Sequence, residues 1–441
     1  MIKRKALVYN TALLTASSIL MSCIGMAFQV WLVGRIGASG IGLYQLIISV
    51  MNLGATFAIS GIRFASTRLI SEELGAENTE AISCAMRHCL GYALMFGCAA
   101  AAILRLLAAP VGIEWIGDGR TVLSLKIAAY SMPCISLCSA LSGYFTACGR
   151  VWKPTVVHLF EQLFGIFLVA LFLKFSPAGD IEKNCAAVTL GRCAADWVSL
   201  ILMLLVYYHD RVKHYSGTDG GCNLTGRMLK IALPLAVSAY ARSALSTIQH
   251  IMVPRGLKAA GYSPDGALSG YGIIQGMVLP IVLFPSCIMA AAAEMIVPEL
   301  TRSQVRNDKE GIADAGYTLI RLSLIFSGTV ALVIFILADM LGVTVYKSTE
   351  AGGYIRLLAP LIPVMYTDMA VDGCLKGLGE QVWSMGINII DSLTSLLLVL
   401  WLLPVGAIRA YIGIIYFTET LNFVLSALRL WHVMKRGGLK K

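Results

Sequence analysis

The sequence predicts an all-α polytopic membrane protein of about twelve transmembrane helices in two pseudo-symmetric six-helix lobes. Three observations carry this reading: an apolar composition, the regular return of long apolar runs, and an internal repeat. Of 441 residues, 57% are hydrophobic and only 14% charged, and the mean hydropathy is +0.76. Soluble domains carry about 25% charged residues, so the chain falls outside that class.

A helix needs ~20 apolar residues to cross a ~30 Å hydrocarbon layer. Runs of that kind fall near 9–33, 42–62, 84–108, 122–146, 154–175 and 186–208, then 229–251, 269–292, 316–340, 355–376, 384–404 and 410–433. An outer-membrane barrel would show ~10-residue alternating segments, and no such alternation is present. Before the first run stand Lys3, Arg4 and Lys5. They resemble a secretory n-region, but the run continues past Trp31 with no small-residue cleavage pattern, so an uncleaved first helix is expected.

With a cytoplasmic N-terminus and an even helix count, both termini lie on the cytoplasmic side of the cell membrane. Roughly 22 of the 35 Lys and Arg residues then fall on inner loops, as the positive-inside rule requires. The net charge of +10 is spread over many short loops, so nucleic acid is not an expected partner. The twelve cysteines lie mostly within spans and never as CxxC, which reads as apolar filling and not as a metal or disulfide framework.

The least apolar break, around residues 209–228, reads as a cytoplasmic linker between a first lobe (1–208) and a second (229–441). Six helices in each half give both halves the same orientation and a pseudo-twofold axis along the membrane normal. A shift of 230 places Pro133 on Pro363, Gly143 on Gly373, Gly149 on Gly379 and Glu161 on Asp391. A second correspondence, at a shift of 220, aligns Gln29–Gly37 with Gln249–Leu257 and Arg35 with Arg255.

The segment Gly34–Asn78 (GRIGASGIGLYQLIISVMNLGATFAISGIRFASTRLISEELGAEN) resembles the opening motif of the stage V sporulation protein B group. That group lies in the oligosaccharide flippase branch of the multidrug/oligosaccharidyl-lipid/polysaccharide (MOP, MATE-like) exporter superfamily. Ser142–Gly149, Ser269–Leu300, Asp372–Asp391 and Gly413–Leu430 agree with it, so the likeness covers nearly the whole chain. It implies two six-helix lobes around a cavity, alternating access, and a polyprenyl-pyrophosphate-linked oligosaccharide or peptidoglycan precursor as cargo. The implied alternative is a sodium- or proton-coupled exporter of drugs or metabolites. Lipid II flippases of the superfamily place arginines in the cavity parts of their first two helices, where Phe28 and Thr56 stand here.

A charge at the bilayer centre costs roughly 2.5–3.5 kcal/mol, so each one demands a partner, a cavity or a task. Arg242, inside the seventh span, is the one basic residue assigned to neither membrane face. It is read either as a contact for substrate pyrophosphate, which a guanidinium fork fits, or as the ion-pair partner of Glu294. Arg35 and Arg63 are the other candidate anion contacts, with Tyr44, Gln45, Gln249 and Gln275 as polar lining. His250 is read as a proton sensor or a hydrogen-bonded packing residue. Glu161 and Asp391, one turn after His158 and Asn388, are either polar brackets fixing helix register or sites for a coupling cation. Residues 9–33 contain no Asp or Glu, which disfavours coupling through the first helix. No Walker loop, HExxH or nucleophile elbow occurs, so neither enzyme activity nor a cofactor is expected.

Overall fold

The computed structural model describes residues 2–75, 79–177, 179–214, 225–306 and 308–435. The centre of the linker and the last six residues lie outside this set. So do the side chains of Lys3, Arg4, Lys5, Lys213, Lys230, Arg436, Lys440 and Lys441, which entered the charge count.

Among the described residues every regular element is helical. In order these are α1 (Ile2–Ile59), α2 (Ile62–Gly75), α3 (Thr79–Pro110), α4 (Val122–Ala128), α5 (Met132–Ala147), α6 (Trp152–Phe175), α7 (Ile181–His214) and α8 (Thr225–Ala259). Then come α9 (Pro264–Gly272), α10 (Leu279–Leu283), α11 (Ser286–Val305), α12 (Lys309–Tyr346), α13 (Thr349–Leu358), α14 (Ile362–Gly377) and α15 (Gln381–Lys435). Short 3-10 or π-helical turns join several of them, including Ile273–Val278.

Ten candidate membrane spans result. The longest two contain a break each, at Gly37 (φ 71°, ψ 178°) in α1 and at Ala407 (φ 50°, ψ −137°) in α15. Each break divides its helix into two crossings, which brings ten to the twelve read from the sequence. Glycine adopts such a φ without steric cost, so Gly37 is a natural place for the chain to reverse. Ala407 holds an uncommon conformation for a residue with a Cβ. Trp401 (82%) and Val405 (88%) are almost fully exposed, as side chains facing lipid must be.

The chain forms two compact units, one of Met1–Ser17 and Leu43–Thr247, the other of Ser18–Gly42 and Ile248–Lys441. Each half of the sequence thus lends a segment of its first hairpin to the unit that is mostly built from the other half. The first unit has a core of Ile62, Leu69, Met86, Tyr144, Phe145 and Met203, all buried.

The 230-residue repeat has a physical counterpart in each unit. A Cβ on Gly143 would meet Ser66 Oγ at 1.9 Å and Arg63 O at 2.5 Å, so α5 and α2 touch backbone to backbone. A Cβ on Gly373 would meet Ala293 Cβ at 2.7 Å, and Ala293 is Arg63 plus 230. Small residues of this kind let membrane helices approach closely, because dispersion contacts must replace the missing hydrophobic drive.

Candidate functional site

The first unit contains a cavity of about 200 Å³ lined by Ile59, Arg63, Cys134, Ile135, Cys138, Ser139, Ser142, His158, Glu161, Asp196 and Ser199. Its walls come from the end of α1 and from α2, α5, α6 and α7. The chain turns sharply between α1 and α2 at Ser60 and Gly61, both at positive φ. The α2–α5 contact then brings Arg63 against the serine-rich face of α5. Thr67 Oγ1 donates to Gly143 O across 3.1 Å at the same contact.

Glu161 sits at the opposite wall. Its Oε2 accepts from Ser199 Oγ at 2.6 Å and lies 3.1 Å from His158 Nδ1. His158 thus reaches Glu161 from one turn earlier on α6, and Ser199 reaches it from α7. Arg192, one turn before Asp196 on α7, lies within electrostatic reach of Glu161, Asp196 and Tyr44. Two carboxylates, two arginines and an imidazole thus share this wall and its surroundings, giving a mixed polar chamber and not a single-sign pocket.

Arg192 is the residue that sequence reasoning missed. It falls inside the sixth span, so Arg242 is not the one base within the spans. The available signal was its spacing from Asp196, since positions four apart share a helix face.

The other expected contacts are distributed between the units. Arg242 and Arg63 both belong to the first unit, are exposed, and make no ion pair among the described residues. Arg35, in the second unit, is exposed and stacks its guanidinium over Trp31 at 5.7 Å. Glu294 is also exposed, and neither it nor Arg242 makes an ion pair within its own unit. Tyr44 is 3% exposed, so it presents no open polar surface, and Gln45 beside it is half-buried. In the second unit Gln249 Nε2 donates to Ser395 Oγ at 2.7 Å and Gln275 Nε2 to Tyr411 Oη at 2.6 Å. His250 Nδ1 lies 2.9 Å from Tyr271 Oη, a hydrogen-bonded packing position.

Asp391, the repeat partner of Glu161, has a different environment. Its Oδ1 has no hydrogen-bond partner among the described residues, and Asn388 turns its amide to Ser384 O instead, at 2.9 Å. Asp391 lies in one electrostatic neighbourhood with Asp368, Asp372 and Glu419. Asp368 is 8% exposed, accepts from Asn422 Nδ2 at 3.1 Å through Oδ2, and lies beside Ser426. No group of three or more metal-binding side chains is arranged to hold a metal ion among the described residues.

The MatE family model matches residues 14–171 and 257–401. The chain belongs to the MatE family. Its fold is that of solved MatE relatives: an inward-facing multidrug resistance MATE transporter of the MOP superfamily superposes with a TM-score of 0.72, at 13% identity over 95% of each chain. Among curated proteins it is 24% identical over 418 residues to stage V sporulation protein B of Bacillus subtilis (strain 168), covering 92% of this chain and 78% of that one. It is also 24% identical over 374 residues to the probable multidrug resistance protein NorM of Acinetobacter baylyi (strain ATCC 33305 / BD413 / ADP1), covering 80% and 77%. The protein is a multi-pass membrane protein of the MatE family.

Proposed function

We propose that this MatE protein is a flippase that moves the headgroup of a polyprenyl-pyrophosphate-linked oligosaccharide or peptidoglycan precursor across the cytoplasmic membrane by alternating access, with both termini cytoplasmic. The observation that carries the reading is the state of Arg63 and Arg242. Arg242 stands inside the seventh span and Arg63 just past the turn that ends the second, both in the first unit, exposed and without an ion-pair partner among the described residues. An unpaired arginine at membrane depth needs compensation worth several kcal/mol. A pyrophosphate supplies it through paired charge-assisted hydrogen bonds. The likeness to stage V sporulation protein B over 92% of the chain supports the same reading.

The test is rescue of a bacterial strain depleted of its lipid II flippase. Rescue by the wild-type chain and failure of Arg242→Ala at equal membrane abundance is the expected result. Full rescue by Arg242→Ala removes that residue as a headgroup contact.

A second reading, cation-coupled export of drugs or metabolites, is favoured by the acid-rich interior of the second unit. Asp368, Asp391 and Asn422 each have a buried oxygen without a hydrogen-bond partner among the described residues, and buried carboxylates without a cation are costly. A coupled proton or sodium ion would satisfy them. Glu161, held by Ser199 and His158, fits a structural role better than a coupling one.

A further inference from the structure

The two units equip their interior acids differently. At the shift of 230, Glu161 on α6 corresponds to Asp391 on α15. Each has a second acid within electrostatic reach on the span that follows, Asp196 in the first unit and Glu419 in the second. Four residues before Asp196 stands Arg192, whereas four residues before Glu419 stands Ile415. On α5 and α14 the same shift of 230 places Cys138 on Asp368 and Ser142 on Asp372. The first unit therefore sets two carboxylates near a guanidinium, while in the second unit Asp368 and Glu419 have other acids as their charged neighbours.

Helix geometry explains how the guanidinium comes to the acids. Arg192, Asp196 and Ser199 follow one another on α7 at spacings of four and three, so they share one face. Asp196 and Ser199 line the cavity together with Glu161, and Ser199 Oγ ties that face to Glu161 Oε2 across 2.6 Å. Arg192 thus stands one turn from the cavity, on its acidic wall. The side chain is exposed and makes no ion pair among the described residues, so it is free to lie along the helix face toward Asp196. Neighbouring carboxylates in a low-dielectric interior do not both stay ionised without positive charge nearby. His158, 3.1 Å from Glu161, carries charge only when protonated. A guanidinium is always charged, and its attraction acts beyond contact distance where water is scarce.

We infer that Arg192 is a built-in counter-ion that takes the place of a mobile cation beside Glu161 and Asp196, so that the first unit keeps both acids ionised without binding a proton or a sodium ion. The corresponding acids of the second unit have no such group one turn away. Arg192 plays this part whatever the cargo.

The experiment counts ions bound to the purified full chain, with radiolabelled sodium in one arm and the infrared band of protonated carboxyl groups in the other. Arg192→Gln should bind one more sodium ion per chain than wild type, or gain one protonated carboxyl, and Asp196→Asn added to it should remove the gain. Arg192→Lys, which keeps the charge, and Asp196→Asn alone should both match wild type in the sodium count. Should Arg192→Gln fail to fold, Asp196→Asn in the same chain should restore folding. The count needs no transport, so it separates failure of the counter-ion from failure of the proposed function. No gain in folded Arg192→Gln, a gain that survives Asp196→Asn, an equal gain in Arg192→Lys, loss of an ion in Asp196→Asn alone, or an unfolded Arg192→Gln that Asp196→Asn leaves unfolded would each overturn the assignment.

Discussion

Arg429 donates to Glu380 across 2.8 Å while its guanidinium lies over the Trp383 ring at 4.2 Å. The matching turn of the first repeat carries the opposite polarity. There Arg150 and Lys153 both reach Asp210, which also accepts from Tyr144 Oη at 2.9 Å. In each repeat the residue after a turn glycine, Gly149 or Gly379, is tied to the end of the repeat's last helix. The carboxylates involved are buried, Asp210 at 0% and Glu380 at 4%. Arg429→Ala removes a charged partner of the buried Glu380 carboxylate and should cost about 1–3 kcal/mol. Equilibrium unfolding should show a much smaller loss when Glu380→Gln accompanies Arg429→Leu.

Gly143→Ala should destabilise the first unit by about 1–3 kcal/mol, because its Cβ has no free volume between Ser66 Oγ and Arg63 O. Gly386, which has nothing within 4 Å of a built Cβ, provides the control. Gly386→Ala should leave stability unchanged or raise it by about 0.4–1 kcal/mol. Comparable melting of the two variants would contradict the close α2–α5 approach.

Much of this architecture is legible in the sequence, because a bilayer turns hydropathy into geometry. Span number, the breaks near residues 37 and 407, and the pairing of Gly143 with Gly373 all follow from runs of apolar residues and a fixed repeat. Side-chain partners are a different matter. Nothing in the sequence tells that Ser199 reaches Glu161 while Asp391, at the equivalent position, keeps an unpaired oxygen. Those outcomes depend on the rotation of neighbouring helices by fractions of a turn. The exchange of Ser18–Gly42 and Thr225–Thr247 between units is equally invisible, since apolar helix faces match many partners. Arg192 escaped because a charge near a span end reads as an interfacial one.

Arg63 and Arg242 separate charge from shape. Arg63→Lys keeps the charge and loses the planar fork, so it should retain part of the transport that Arg63→Ala abolishes. Both variants should melt with the wild type, because Arg63 makes no ion pair among the described residues. A large stability loss in Arg63→Ala would instead mark it as a structural residue.

Asp368→Asn and Asp391→Asn distinguish the two readings of the second unit. If these acids carry a coupling cation, each substitution should abolish the dependence of transport on an imposed proton or sodium gradient, while cargo binding persists. Retention of full gradient dependence in both variants would assign the cluster to packing. Glu161→Gln should leave gradient dependence intact, since its partners are already a serine and a histidine.

Reconstitution shows whether the cargo is a lipid-linked glycan. Purified protein is placed in vesicles with a fluorescent undecaprenyl-pyrophosphate glycan in one leaflet, and its appearance in the other is followed by accessibility to a membrane-impermeant quencher. A flippase gives protein-dependent translocation that Arg63→Ala and Arg242→Ala abolish. Translocation no faster than in empty vesicles, alongside ion-driven efflux of cationic dyes by the same preparation, would contradict it.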